Sequence, residues 1–133
     1  MADGKIDIEN LVDHWVSRAS KDNETMLNLY HSGDYHWALF IGHLVLERLM
    51  KASVVKHTEK HAPFTHDLRR LAKLSGIDFN NDETKSLDTI TTFNLNTRYD
   101  DFKQDFYRKC TKEYTETWIS KIKELKKWIE KEL

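Results

Sequence analysis

Hydrophobic positions recur at three- and four-residue steps along most of this chain, the spacing of an amphipathic helix, and no stretch alternates convincingly with the two-residue period of a strand. From Ile6 to Tyr30, the apolar side chains of Ile8, Leu11, Val12, Trp15, Ala19, Met26, Leu27 and Tyr30 predict a long first helix. Its polar middle, SRASKDNE, could bend. HSGDY then supplies a stop and a restart: Gly33 suits the left-handed position past a helix end, and Asp34 suits the cap of the next helix. The second helix, Tyr35 to about Lys56, is apolar around most of its circumference, as expected of a central helix or of one shared between a core and a partner subunit. Leu39, Leu46 and Met50 are read as an outward apolar face available for pairing. Against that background His43, Glu47 and Lys51, four residues apart, form one polar stripe.

KHTEKHAPF reads as a connector punctuated by Pro63. Thr65 can cap a short third helix, HDLRRLAKLSG, with Asp67 favourable near its positive end, Leu68, Leu71 and Leu74 as its apolar face, and Gly76 after its end. Asn81 or Asp82 begins a fourth helix running through Leu87, Ile90 and Phe93 to about Asn96. After the stretch RYDDF, the steps between Trp118, Ile122, Leu125, Ile129 and Leu133 predict a strong terminal helix with lysines and glutamates outside. The expected fold class is all-α, an up-and-down bundle of four to five helices in one domain over residues 1–133.

Composition sharpens that picture mainly by exclusion. A chain of 133 residues with 32% charged side chains and a net charge of −1 has no whole-molecule basic field to attract nucleic acid, so any anion site is local. The amino-terminal MADGKIDIENLVDHW lacks a basic segment followed by an apolar run, and no stretch approaches the roughly 20 apolar residues of a membrane span. With Cys110 as its only cysteine, the chain can form no internal disulfide, and a cytoplasmic location is expected.

Candidate chemistry is sparse. The glycines Gly4, Gly33, Gly42 and Gly76 are scattered, which removes a phosphate-binding glycine loop, and Cys110 has no histidine or glycine elbow near it in sequence. His57 and His61 are four apart and His66 with Asp67 follows, yet a metal needs three or more ligands to converge; solvated or capping histidines are the simpler reading, and neither metal nor cofactor is called for. All seven histidines lie at or before His66. Arg98 beside Tyr99 is more suggestive: a guanidinium offers a rigid fork of donors to phosphate and an adjacent aromatic can stack on a base. On residue chemistry alone the favoured reading is that Arg98 pairs with Asp100, Asp101 or Glu47, since structural ion pairs are common.

Several pieces in order, WVSRASKD, HSGDYHWALFIGHLVLERLMKA, APFTHDLRRLAKLSG and NTRYDDF, resemble the HEPN domain family of small helical proteins associated with nucleotide binding and RNA cleavage. The spacing of Glu47 and Lys51, the THDL of residues 65–68 and the RY at Arg98 carry the resemblance most specifically. It implies a homodimer whose arginine loops share one cleft. There Arg98 would hold phosphate, Tyr99 would pack or stack, Glu47 would orient Arg98, Lys51 would add positive charge, and His66 with Asp67 would fix the neighbouring helix start. Ribonuclease members carry a histidine a few residues after the arginine, whereas Lys103, Gln104 and Asp105 stand at those positions here. Glutamine cannot exchange the needed proton, and lysine is normally protonated.

The resemblance therefore implies nucleotide or RNA phosphate binding without a catalytic residue, beside a nucleotidyltransferase or other partner. The alternatives are a ribonuclease toxin of a toxin-antitoxin system, using a base other than the usual histidine, and a structural dimerisation module.

Overall fold

The computed structural model describes residues 6–133; residues 1–5, where the reading of the amino terminus begins, lie outside the described residues. Six helices follow one another: α1 (Ile8–His31), α2 (Tyr35–Thr58), α3 (Leu68–Ser75), α4 (Asn81–Arg98), α5 (Asp100–Lys109) and α6 (Lys112–Glu130). No strand occurs among the described residues. The all-α class holds, and the expected four to five helices become six because α5 fills the RYDDF stretch. This helix is short and mostly polar and buries only Phe106, so the hydrophobic pattern does not announce it. Its end charges do: Asp100 and Asp101 open it and Arg108 and Lys109 close it, each sign complementing the helix dipole.

Local chemistry sets most boundaries. Asp7 caps α1 by accepting from the Asn10 amide, and Gly33, at φ +84°, makes the turn into α2. Asp34 occupies the cap position of α2 but makes no capping bond; its carboxylate accepts from the Ser32 hydroxyl at 2.7 Å instead. The capping role expected of Thr65 falls to Asp67, whose carboxylate accepts from the Arg69 and Arg70 amides. At the start of α4, Asn80 and Glu83 form a reciprocal capping box. Helix α1 is continuous through its polar middle, where Asp22 accepts an ion-paired hydrogen bond from Arg48 on α2.

Helix α2 packs against α1, α3, α4, α5 and α6, and fifteen of its residues are buried. Leu39, Leu46 and Met50 are each 0% exposed. Leu39, Leu46 and Met50 therefore form no outward apolar face: the neighbouring helices cover them, and the less buried side of α2 carries Trp37, Phe40, Ile41, Leu44 and Arg48 instead. Gly42 permits a close approach by α6, since a Cβ there would stand 2.6 Å from Ile122 Cδ1. The larger exposed apolar side chains lie elsewhere. Trp37 opens α2, Leu95 and Tyr99 mark the end of α4, and Phe102 and Tyr107 belong to α5. Among the described residues, no helix is long and apolar enough to cross a membrane.

Candidate functional site

The polar stripe of α2 meets the connector before α3. Glu47 is 4% exposed, and its carboxylate bridges two cations or donors: Oε1 accepts from His66 Nδ1 at 2.7 Å, and Oε2 accepts from Lys51 Nζ at 3.3 Å. Lys51 is itself buried, with its ammonium 5.1 Å from the Trp15 ring centroid and 5.8 Å from that of Phe64. A buried ammonium is costly unless paired, and here one carboxylate and the Trp15 face stand close to it, with the exposed Phe64 ring further out. Charge balance thus explains why the stripe survives on so apolar a helix.

His43, one turn before Glu47, is fully buried and donates from Nε2 to the His66 carbonyl at 2.8 Å. Burial is the main force holding this imidazole below its ordinary pKa, outweighing the hydrogen bond to His66 and the nearby Glu47 charge. Its Nδ1 is enclosed without a partner, as suits the unprotonated nitrogen of a neutral ring. From the other side Thr91 on α4 accepts the Leu68 amide at 3.2 Å. The THDL stretch is therefore pinned by His43 and Glu47 of α2, by Thr91 of α4, and by Thr65, which accepts from the Asp67 amide.

The remaining connector histidines do not join this cluster. The His57 ring packs over Gly76, and His61 borders a shallow hollow with Asp7, Asn10 and His14. Among the described residues, no group of three or more histidine, cysteine, aspartate or glutamate side chains is placed to hold a metal ion. Cys110 is buried in the core, where desolvation pushes its thiol pKa up to about 12.

Arg98 lies at the last position of α4 and is exposed. Its guanidinium carbon is 5.6 Å from the ring centroid of Tyr99, which is 51% exposed. Among the described residues, Arg98 forms no ion pair, so the pairing with Asp100, Asp101 or Glu47 favoured on residue chemistry is not made. Glu47 is occupied by His66 and Lys51. The six candidate residues thus divide in two: Glu47, Lys51, His66 and Asp67 around the THDL connector, and Arg98 with Tyr99 at the end of α4. Beside the second group, α5 crosses the start of α2, with Tyr107 edge-on to His36 at 5.1 Å and the Lys103 ammonium 5.5 Å from the Trp37 ring.

Sequence reasoning missed Trp15 and Phe64 as the aromatic cage of Lys51. Neither stands at a fixed spacing from it, and only folding brings α1, α2 and the connector together.

A search of curated protein sequences finds no match. Among solved structures, the fold is similar to the crystal structure of TT1696 from Thermus thermophilus, with a TM-score of 0.78 at 18% identity, covering 92% of this chain and 98% of that one. A likeness at that identity speaks to the fold alone. The HEPN domain model matches residues 12–133, which takes in the polar stripe, the THDL connector and the Arg98 loop, and the chain therefore belongs to the HEPN domain family.

Proposed function

We propose that this chain binds a nucleotide or an RNA phosphate through Arg98, with Tyr99 packing or stacking beside it, and that it does not itself cleave RNA. Family membership supports a nucleotide- or RNA-related role, and the observation that carries the narrower reading is the exposed guanidinium of Arg98, which forms no ion pair among the described residues. Two aspartates follow within three residues, yet neither takes it. An arginine held against an aromatic face and left without a carboxylate keeps its donor fork available for phosphate. No histidine follows to complete the family's nuclease motif.

HEPN domains often form dimers. In the proposed assembly two copies pair through the aromatic surface of Trp37, Phe102 and Tyr107, bringing both Arg98 loops to one cleft. A nucleotidyltransferase is the partner class that fits this reading best, and a toxin-antitoxin pair is the setting in which it would act. Lys51 contributes to this site only indirectly, because its ammonium is buried against Glu47.

Calorimetric titration with AMP and with short single-stranded RNA tests the proposal. Wild type binds, Arg98→Ala weakens binding at least about tenfold, and the RNA stays intact. Arg98-dependent RNA cleavage at low protein concentration would sink the nonenzymatic reading. A failure to bind either probe would leave a structural module in its place, and a monomeric mass by light scattering at micromolar concentration would remove the shared cleft.

A further inference from the structure

Phe64 is 94% exposed, the most exposed large apolar side chain among the described residues. Its backbone is nonetheless fastened: Pro63 precedes it, and the four residues that follow are held by the hydrogen bonds of the THDL connector. The ring centroid lies 6.1 Å from the His66 imidazole and 5.8 Å from the Lys51 ammonium. Nothing among the described residues covers the ring.

His66 supplies the polar half of this arrangement. Its Nδ1 is committed to the buried Glu47 carboxylate, which leaves Nε2 as the free polar atom of the ring, and 42% of the side chain is exposed. Nε2 has no hydrogen-bond partner among the described residues. The result is a bare aromatic face next to a polar ring nitrogen whose direction is set from inside the protein.

The backbone here offers an anion little. The α3 start has no free amide for one: Leu68 donates to Thr91, Arg69 and Arg70 donate to the Asp67 carboxylate, and Leu71 donates to the Asp67 carbonyl. Lys51 is turned into the protein toward Glu47. A planar heteroaromatic ring suits it well, since the face can stack on Phe64 while a donor or acceptor on the edge hydrogen-bonds to Nε2.

We propose that Phe64 and His66 form a nucleobase subsite, distinct from the phosphate position at Arg98. The inference rests on the nucleotide reading above and names where the base goes. Thr91, which touches the connector, and Arg98 are on the same helix, seven residues or about 10 Å apart along its axis. In the proposed arrangement a nucleotide or short single strand runs from one group to the other.

Titration of wild type, Phe64→Ala, Phe64→Trp and Arg98→Ala with AMP and with ribose 5-phosphate tests it. Phe64→Ala lowers AMP affinity about 5- to 150-fold, the range of one lost base stack, and leaves ribose 5-phosphate binding unchanged. Phe64→Trp retains AMP binding, and all three variants keep the wild-type unfolding temperature, because both side chains are exposed. Arg98-dependent AMP binding that is indifferent to Phe64→Ala overturns the base subsite while leaving the phosphate reading standing. So does a change from dimer to monomer in Phe64→Ala with AMP affinity intact, which would make Phe64 a protein contact. If wild type binds neither probe, both readings fall together.

Discussion

Replacing Glu47 by glutamine keeps the shape of the side chain and one acceptor oxygen but removes its charge. What remains is the Lys51 ammonium, 7% exposed, facing two aromatic rings with no anion beside it. Deleting one member of a buried ion pair typically costs about 3–5 kcal/mol, most of it the stranding of the other charge. That is a large share of the about 5–15 kcal/mol by which a domain of this kind is stable. With a urea slope of about 2 kcal/mol per molar, Glu47→Gln should lower the midpoint by about 2 M. The double variant Glu47→Gln/Lys51→Met removes the stranded charge and fills the same space, so most of the loss should return, with a coupling of about 2 kcal/mol or more. Urea unfolding followed by tryptophan fluorescence and circular dichroism measures all three proteins. A midpoint within about 0.3 M of wild type for Glu47→Gln, or a double variant no better than the single, would refute the buried Glu47–Lys51 pair as a charge-balanced unit.

Other consequences are simpler. Gly76→Ala should cost about 1–3 kcal/mol, because the site requires φ +74° and a Cβ there would meet the His57 ring at 2.8 Å; a thermal melt measures it, and His57→Ala in the same background should recover only the steric part. Burial holds His43 below its ordinary pKa, so the unfolded chain binds the extra proton first: the stability owed to the neutral ring is fully present above about pH 6.5 and is lost as pH falls below it. Wild type should therefore lose more urea resistance between pH 7.5 and pH 5.5 than His43→Gln, and equal losses would contradict the assignment. Cys110, at 6% exposure and with its thiol pKa pushed up to about 12, should react with maleimide at pH 8 only after denaturant is added.

The parts of the fold that could be read in advance are those governed by near neighbours in sequence. The α1 and α6 patterns, the Gly33 and Gly76 turns and the start of α4 follow from helical spacing and capping chemistry, which act within a few residues. Where two capping residues compete, as Thr65 and Asp67 do, spacing alone does not decide; the backbone path through the connector does. α5 escaped notice because a short helix with one buried residue has no hydrophobic stripe to display, although its end charges mark it.

By itself the sequence determined the all-α class, most helix boundaries, the residue types on α2 that require an explanation, and the loss of the nuclease histidine after Arg98. These are local or compositional facts, and a helix is built from local hydrogen bonds. Only the tertiary structure decided which of the candidate residues meet. Leu39, Leu46 and Met50 are buried because neighbouring helices cover them, and Glu47 turns to His66 and Lys51, leaving Arg98 without an ion pair among the described residues. Contacts between residues far apart in the chain depend on how separate helices pack, and a buried charge takes whichever partner the packed interior places within reach.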